Sequence, residues 1–152
     1  MNNQCARISD ITGNIMVCRG RRVSLFTLNG HLILSHDVCR GEPDDYVVSC
    51  AFYEGAGDEW LERELLFTGH RHGVVNIWSK VIKHGKFELE LVRRLDHVDM
   101  GKQNTSNTDA SITCILPMAQ KLYTGDEEGR VVSQSTPSPS PLFKSQIGNQ
   151  MC

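Results

Sequence analysis

"LLFTGHRHGVVNIW" (Leu65 to Trp78) and "QKLYTGDEEGRVVS" (Gln120 to Ser133) share one pattern: an apolar pair, Thr, Gly, three polar residues, Gly, then a second apolar run. Gly69 and Gly125 stand 56 residues apart (125 − 69), and so do Gly73 and Gly129 (129 − 73). A more diverged copy, "NIMVCRGRRVSLF" from Asn14, sets Val23 to Phe26 against Val75 to Trp78 at a spacing of 52 (75 − 23). Repetition at such a period marks a repeat architecture. Gly at a corner allows positive φ where two strands reverse, so each copy predicts a β-hairpin.

The flanks extend the unit. Another apolar run precedes each copy: "ARISDI", "YVVSCAFY" and "SITCILPM". In the second of these, Tyr46, Val48, Cys50 and Phe52 alternate with Val47, Ser49, Ala51 and Tyr53, and both sets suit a strand buried on two faces. A fourth run follows the first two hairpins: "GHLILSHDV" and "FELELVRRL". In "FELELVRRL", Phe87, Leu89 and Leu91 alternate with Glu88, Glu90 and Val92, the period of a strand with one wet face.

Four antiparallel strands repeated every ~40 to 50 residues describe a β-propeller blade. The fold class is therefore all-β, a partial propeller of about three four-stranded blades, the last incomplete. The segment spans residues 1–132. Two polar insertions, "EGAGDEWLERE" and "DHVDMGKQNTSNTDA", are expected to be loops, the first with a helical turn around Trp60 to Glu64. Residues 133–152 form an expected disordered tail, because Pro137, Pro139 and Pro141 bar a central strand. Thr136, Ser138 and Ser140 each precede a proline there, a pattern that suits proline-directed phosphorylation.

Composition narrows the function. The 152 residues amount to one ordinary domain, with 39% hydrophobic and 22% charged residues as in water-soluble proteins. No window approaches the ~20 apolar residues of a membrane span, and the N-terminus has no secretory pattern, so a cytoplasmic location is expected. A net charge of −2 offers phosphate backbones no general attraction, so no nucleic-acid partner is expected. Arg19, Arg21 and Arg22 in "CRGRR" read as a solvated turn. The cysteines Cys5, Cys18, Cys39, Cys50, Cys114 and Cys152 are scattered and read as free thiols. Asn104 fits a glycosylation sequon that a cytoplasmic chain would leave unused.

The sequence contains no nucleophile elbow, P-loop or metal-ligand spacing. His70 and His72 sit two apart in a turn, and "GDEEG" replaces "GHRHG" in the next copy, so the repeat does not demand them. Asp44 with Asp45, and Asp126 with Glu127 and Glu128, read as solvated turn carboxylates. The expected catalytic, cofactor and metal sets are empty. The singled-out positions are structural: Thr68, Gly69, Gly73, Trp78, Thr124, Gly125 and Gly129.

At these positions the chain resembles WD repeats, with Thr68 and Thr124 at the family's hydroxyl position and Trp78 at its tryptophan. Ser79 stands where the family often has Asp, His72 stands where Asp usually precedes the turn Gly, and the Gly-His pair before the first strand is missing. These departures imply an incomplete side-chain network and less rigid blades. A closer resemblance covers "ISDITGNIMVCRGRRVSLFTLNGHLI", "VVSCAFYEGAGDEWLERELLFTGHRHGVVNIW" and "ITCILPMAQKLYTGDEEGRV". These stretches are similar to the last WD repeats of BEACH-domain proteins, the group of neurobeachin, the beige lysosomal trafficking regulator and the autophagy-linked FYVE protein.

That resemblance implies a non-catalytic scaffold in vesicle or lysosomal trafficking or selective autophagy. It would bind other proteins through propeller loops or open blade edges and associate with endosomal, lysosomal or autophagic membranes through those partners. Two alternatives stand beside it: a truncated propeller fragment without independent function, and a small enzyme with no recognisable motif. Three blades do not close a ring of 4 to 8. The chain is then a piece of a longer protein, a unit that recruits partner blades, or a marginally stable arc.

Overall fold

The computed structural model describes residues 4–39, 41–53, 64–97, 110–118 and 121–135. They form eleven strands in three antiparallel sheets. The first sheet holds β1 (Gln4–Ile8), β2 (Ile15–Arg19), β3 (Arg22–Phe26) and β4 (Leu32–Asp37); the second holds β5 (Val47–Phe52), β6 (Leu65–His70), β7 (Val74–Lys83) and β8 (Lys86–Asp96). The third holds β9 (Ile112–Met118), β10 (Lys121–Asp126) and β11 (Val131–Ser135). Each sheet runs in simple meander order, as three successive propeller blades require. The architecture is an open partial propeller of four, four and three strands.

Consecutive blades meet through their first strands, β1 against β5 and β5 against β9. Two apolar layers result. Met16, Cys18, Leu25, Leu34, Cys50, Phe52, Leu66 and Trp78 share the layer between blades 1 and 2. Ala51, Phe67, Val75, Ile77, Ile112 and Leu122 share the layer between blades 2 and 3. Neighbouring residues of one strand, Phe52 and Ala51 or Leu66 and Phe67, thus serve opposite layers. The strand pleat sends successive side chains to opposite faces, and this is why "YVVSCAFY" is apolar throughout.

The hairpin corners agree with the glycine pattern only in part. Gly73 and Gly129 adopt φ of 71° and 79° at the corners. Gly69 and Gly125, expected at corners as well, lie inside β6 and β10 without positive φ. Gly69 is needed for a different reason: a Cβ there would stand 2.4 Å from Ser49 Oγ in the same blade and 2.8 Å from Ile112 Cγ2 of blade 3. At Gly125 the nearest atom to such a Cβ is Cys114 Cβ at 3.6 Å, an ordinary contact.

The expected boundary at residue 132 falls within β11, which continues to Ser135 because Lys121, at the far end of β10, pairs with it. Residues 136–152, including Thr136, Ser138, Ser140 and Cys152, lie outside the described residues. So do residues 54–63 and 98–109 of the insertions, with the expected helical turn up to Arg63 and the Asn104 sequon. Glu64, at the end of the first insertion, is described and binds across blades. It accepts from Thr12 Oγ1 (2.9 Å), Asn14 Nδ2 (3.0 Å) and Lys80 Nζ (2.6 Å). Arg21 of the basic cluster is committed as well, donating to the carbonyls of Glu42 and Cys39.

Candidate functional site

Blade 2 is built on a buried polar relay. Trp78 Nε1 donates to Thr68 Oγ1 (2.9 Å), the Thr68 hydroxyl donates to His70 Nε2 (2.9 Å), and His70 Nδ1 donates to Asp45 Oδ2 (2.7 Å). Asn76 Nδ2 also donates to His70 Nε2 (3.2 Å). With two donors on Nε2 the ring is the neutral Nδ1–H tautomer, and every hydrogen bond points toward the carboxylate. β6 positions Thr68 and His70 on one face, β7 adds Asn76 and Trp78 from the cross-strand register, and the segment before β5 supplies Asp45. His70 is 1% and Asp45 8% exposed. Burial alone would raise the Asp45 carboxyl, but the His70 hydrogen bond, with one from Cys39, holds it below the usual range.

Blade 3 uses the same residue types in reverse. His97, before β9, contacts Thr124 Oγ1 through Nδ1 (2.8 Å), and its Nε2 lies 3.2 Å from Asp126 Oδ2. Asp126 follows Gly125 as His70 follows Gly69, and His97 occupies the place of Asp45 ahead of the first strand. The His–Asp pair is therefore transposed between the two blades. Asp126 also accepts from the backbone N–H of Glu128 (3.0 Å) and Arg130 (2.9 Å) and from Arg130 Nε (2.6 Å). Burial opposes its ionisation, and the Arg130 backbone and guanidinium donors outweigh that and keep it below the normal carboxylate value. His97 is pushed below 6.5 by burial, with the Arg130 charge reinforcing the shift against Asp126.

These findings correct three readings of the sequence. His70 is a buried strand residue, not part of the corner, and only His72 stands in the turn, near Asp44 at 3.5 Å. Asp45 and Asp126 are buried partners, whereas Asp44 and Glu128 are exposed as expected of turn carboxylates. The blade network, expected to be incomplete, runs in blade 2 from Trp78 to Asp45 through other residues, while Asp45 Oδ1, Asn76 Oδ1 and Ser79 Oγ stay buried without a hydrogen-bond partner among the described residues. The repeat alignment contained part of the missing signal, since 126 − 70 equals 56, the spacing of the second and third copies, whereas Asp45 and His97 are not related by that spacing. A swap of His for Asp in one position was compensated by the opposite swap in the other.

Chemically the relay is suited to rigidity. Cys39 Sγ lies 3.7 Å from His70 Nδ1, so Cys, His and Asp are together, yet the thiol and the carboxylate approach the same ring nitrogen. A nucleophile–base–carboxylate triad needs them on opposite nitrogens. Nε2 is occupied by Thr68 and Asn76, and burial followed by the Asp45 charge pushes the Cys39 thiol up to about 12. The cluster holds the strand ends of blade 2 to one another.

Comparison with known proteins agrees with this architecture. The WD40 domain of SCAP from fission yeast superposes with a TM-score of 0.59 at 13% identity, over 89% of this chain and 29% of that one. The computationally designed Ika4 protein gives a TM-score of 0.53 at 13% identity, over 87% of this chain and 64% of that one. By sequence, 128 residues are 28% identical to Beige protein homolog 1 of Schizosaccharomyces pombe, covering 72% of this chain. The chain has the fold of a partial WD40 propeller and resembles BEACH proteins in sequence. WD repeat- and FYVE domain-containing protein 4 of Homo sapiens is likewise 28% identical over 149 residues, 82% of this chain. The WD-repeat segment covers 5% of the length of each of these two relatives. No family model matches it. Among its described residues no helix is long and apolar enough to cross a membrane.

Of the repeat positions singled out from sequence, Thr68 and Trp78 join the blade 2 relay and Thr124 joins the blade 3 pair. Gly69 leaves room for Ser49 and for Ile112 of the next blade, and Gly73 and Gly129 form the corners. Asp45, His70, His97 and Asp126 are the residues that sequence reasoning missed.

Proposed function

We propose that this WD-repeat segment is a non-catalytic protein-interaction scaffold within a BEACH-type protein, acting in vesicle or lysosomal trafficking or selective autophagy. The continuous relay from Trp78 to Asp45 supports this best, because it commits His70, Asp45 and Thr68 to holding blade 2 together. WD40 folds are generally scaffolds, and rigid blades are what allow variable loops to present a fixed surface. The similarity to Beige protein homolog 1 and to the WD repeat- and FYVE domain-containing protein 4 supports the trafficking assignment. Partners are other proteins, met through blade loops or open blade edges, and the location is cytoplasmic and peripheral to endosomal, lysosomal or autophagic membranes.

The test is membrane flotation of cells expressing the tagged chain, with chemical cross-linking before lysis. The expected result is a fraction that floats with endosomal, lysosomal or autophagic markers and is released when membrane proteins are digested. A chain that stays wholly in the soluble fraction with no cross-linked protein would overturn the reading.

A further inference from the structure

The fold gathers three cysteines that lie far apart in sequence. Cys5 of β1 and Cys18 of β2 are direct cross-strand partners, and Cys50 of β5 reaches them from the neighbouring blade. Their sulfurs all lie within 4.8 Å of one another. Cys18 and Cys50 are buried at 0% and 2% exposure within the layer between blades 1 and 2, while Cys5 is half-buried at its margin. All three are free thiols.

This arrangement has the geometry of a ligand set. A metal with bonds of about 2.3 Å to three sulfurs in a plane holds those sulfurs about 4 Å apart. Sulfurs within 4.8 Å need only small side-chain adjustments to reach that spacing. Among the described residues no His, Asp, Glu or fourth Cys joins the group. Structural zinc sites almost always take four ligands. A soft, monovalent d10 ion is satisfied by three thiolates, and thiolate softness selects it.

Charge and access agree. Arg7, two residues along β1, exerts its positive charge on Cys5 and Cys50 and would offset the negative charge of a thiolate complex. Cys5, half-buried at the margin of the layer, is more accessible than Cys18 or Cys50.

We propose that Cys5, Cys18 and Cys50 form a trigonal thiolate site for Cu(I) that ties blade 1 to blade 2. On binding, three S–H bonds break, three Cu–S bonds form and three protons pass to solvent; no electron moves. The other buried thiol cluster, Cys39 with His70 and Asp45, is already committed to the blade 2 relay.

The experiment is an anaerobic Cu(I) titration of the full chain against a chromogenic Cu(I) chelator, followed by thiolate-to-Cu(I) absorption in the ultraviolet. One equivalent should bind. Cys5→Ser, at the margin of the core, should weaken binding more than about 100-fold, beyond the loss typical for a residue that merely supports a ligand. Cys114→Ser and Cys39→Ser should leave it unchanged. Independently of any variant's folding, alkylation mapped by mass spectrometry should show Cu(I) protecting Cys5, Cys18 and Cys50 but not the exposed Cys114. Equal affinity in Cys5→Ser, protection centred on Cys39, or a Cys5–Cys18 disulfide formed in place of the metal complex would each overturn the proposal.

Discussion

His70 and His72 are two residues apart and have opposite energetic standing. Removing the His70 ring leaves the buried Asp45 carboxylate without its ring donor, which for a charged acceptor costs about 3 kcal/mol or more. His72→Ala, in the turn, should stay within about 0.5 kcal/mol. Trp78→Ala should match the first, at about 3 to 5 kcal/mol, because the indole packs between blades and anchors the relay. Urea melts of the three variants check this, and a His70 variant as stable as the His72 variant would refute the relay. The two repeat glycines are expected to part in the same way. Gly69→Ala forces a methyl group against Ser49 and Ile112 and should cost about 1 to 3 kcal/mol, while Gly125→Ala should be near neutral.

At the scale of the element, one carboxylate joins two blades and one imidazole stabilises a third. Glu64 accepts from the β1–β2 loop and from β7 together, so Glu64→Ala should lose about 1.5 to 3 kcal/mol, the range for hydrogen bonds to a charged group. Addition of Thr12→Ala to Glu64→Ala should then cost little more, which a double-mutant cycle reads directly. In blade 3, folding favours neutral His97, whose value lies below the 6.5 of the unfolded chain. The unfolded state therefore binds more protons as the pH drops through 6.5, and stability falls on acidification from there toward the folded value. Asp126, also depressed in the fold, adds a separate loss below its unfolded 3.8. The urea midpoint should decline below pH 6.5 in the parent chain and decline less in His97→Gln; parallel curves would place the sensitivity elsewhere.

The whole molecule is an arc whose middle blade alone has both faces covered by other blades. Blade 2 contributes to both apolar layers, while blades 1 and 3 contribute to one each. Hydrogen exchange should follow that asymmetry, with β5, β6 and β7 the slowest amides and β11, an edge strand with Val131 73% exposed, among the fastest. Uniform protection across the three blades would mean that the outer faces are covered by association, and light scattering on the same sample would show the increased mass.

The repeat, the strand periods and the three-blade count were legible in the sequence, because burial on one or two faces of a pleated strand leaves a local pattern of period two. The hairpin corners were legible in Gly73 and Gly129 for a similarly local reason, the positive φ of a tight turn. What only the tertiary structure decided were the meetings of residues whose separation is not set by the chain: Asp45 with His70, His97 with Asp126, Glu64 with Thr12, and Cys5 with Cys18 and Cys50. A transposed charge pair preserves the same contact in space while erasing the motif in sequence. Electrostatic attraction and hydrogen bonding depend on the distance between groups and not on which strand supplies which partner.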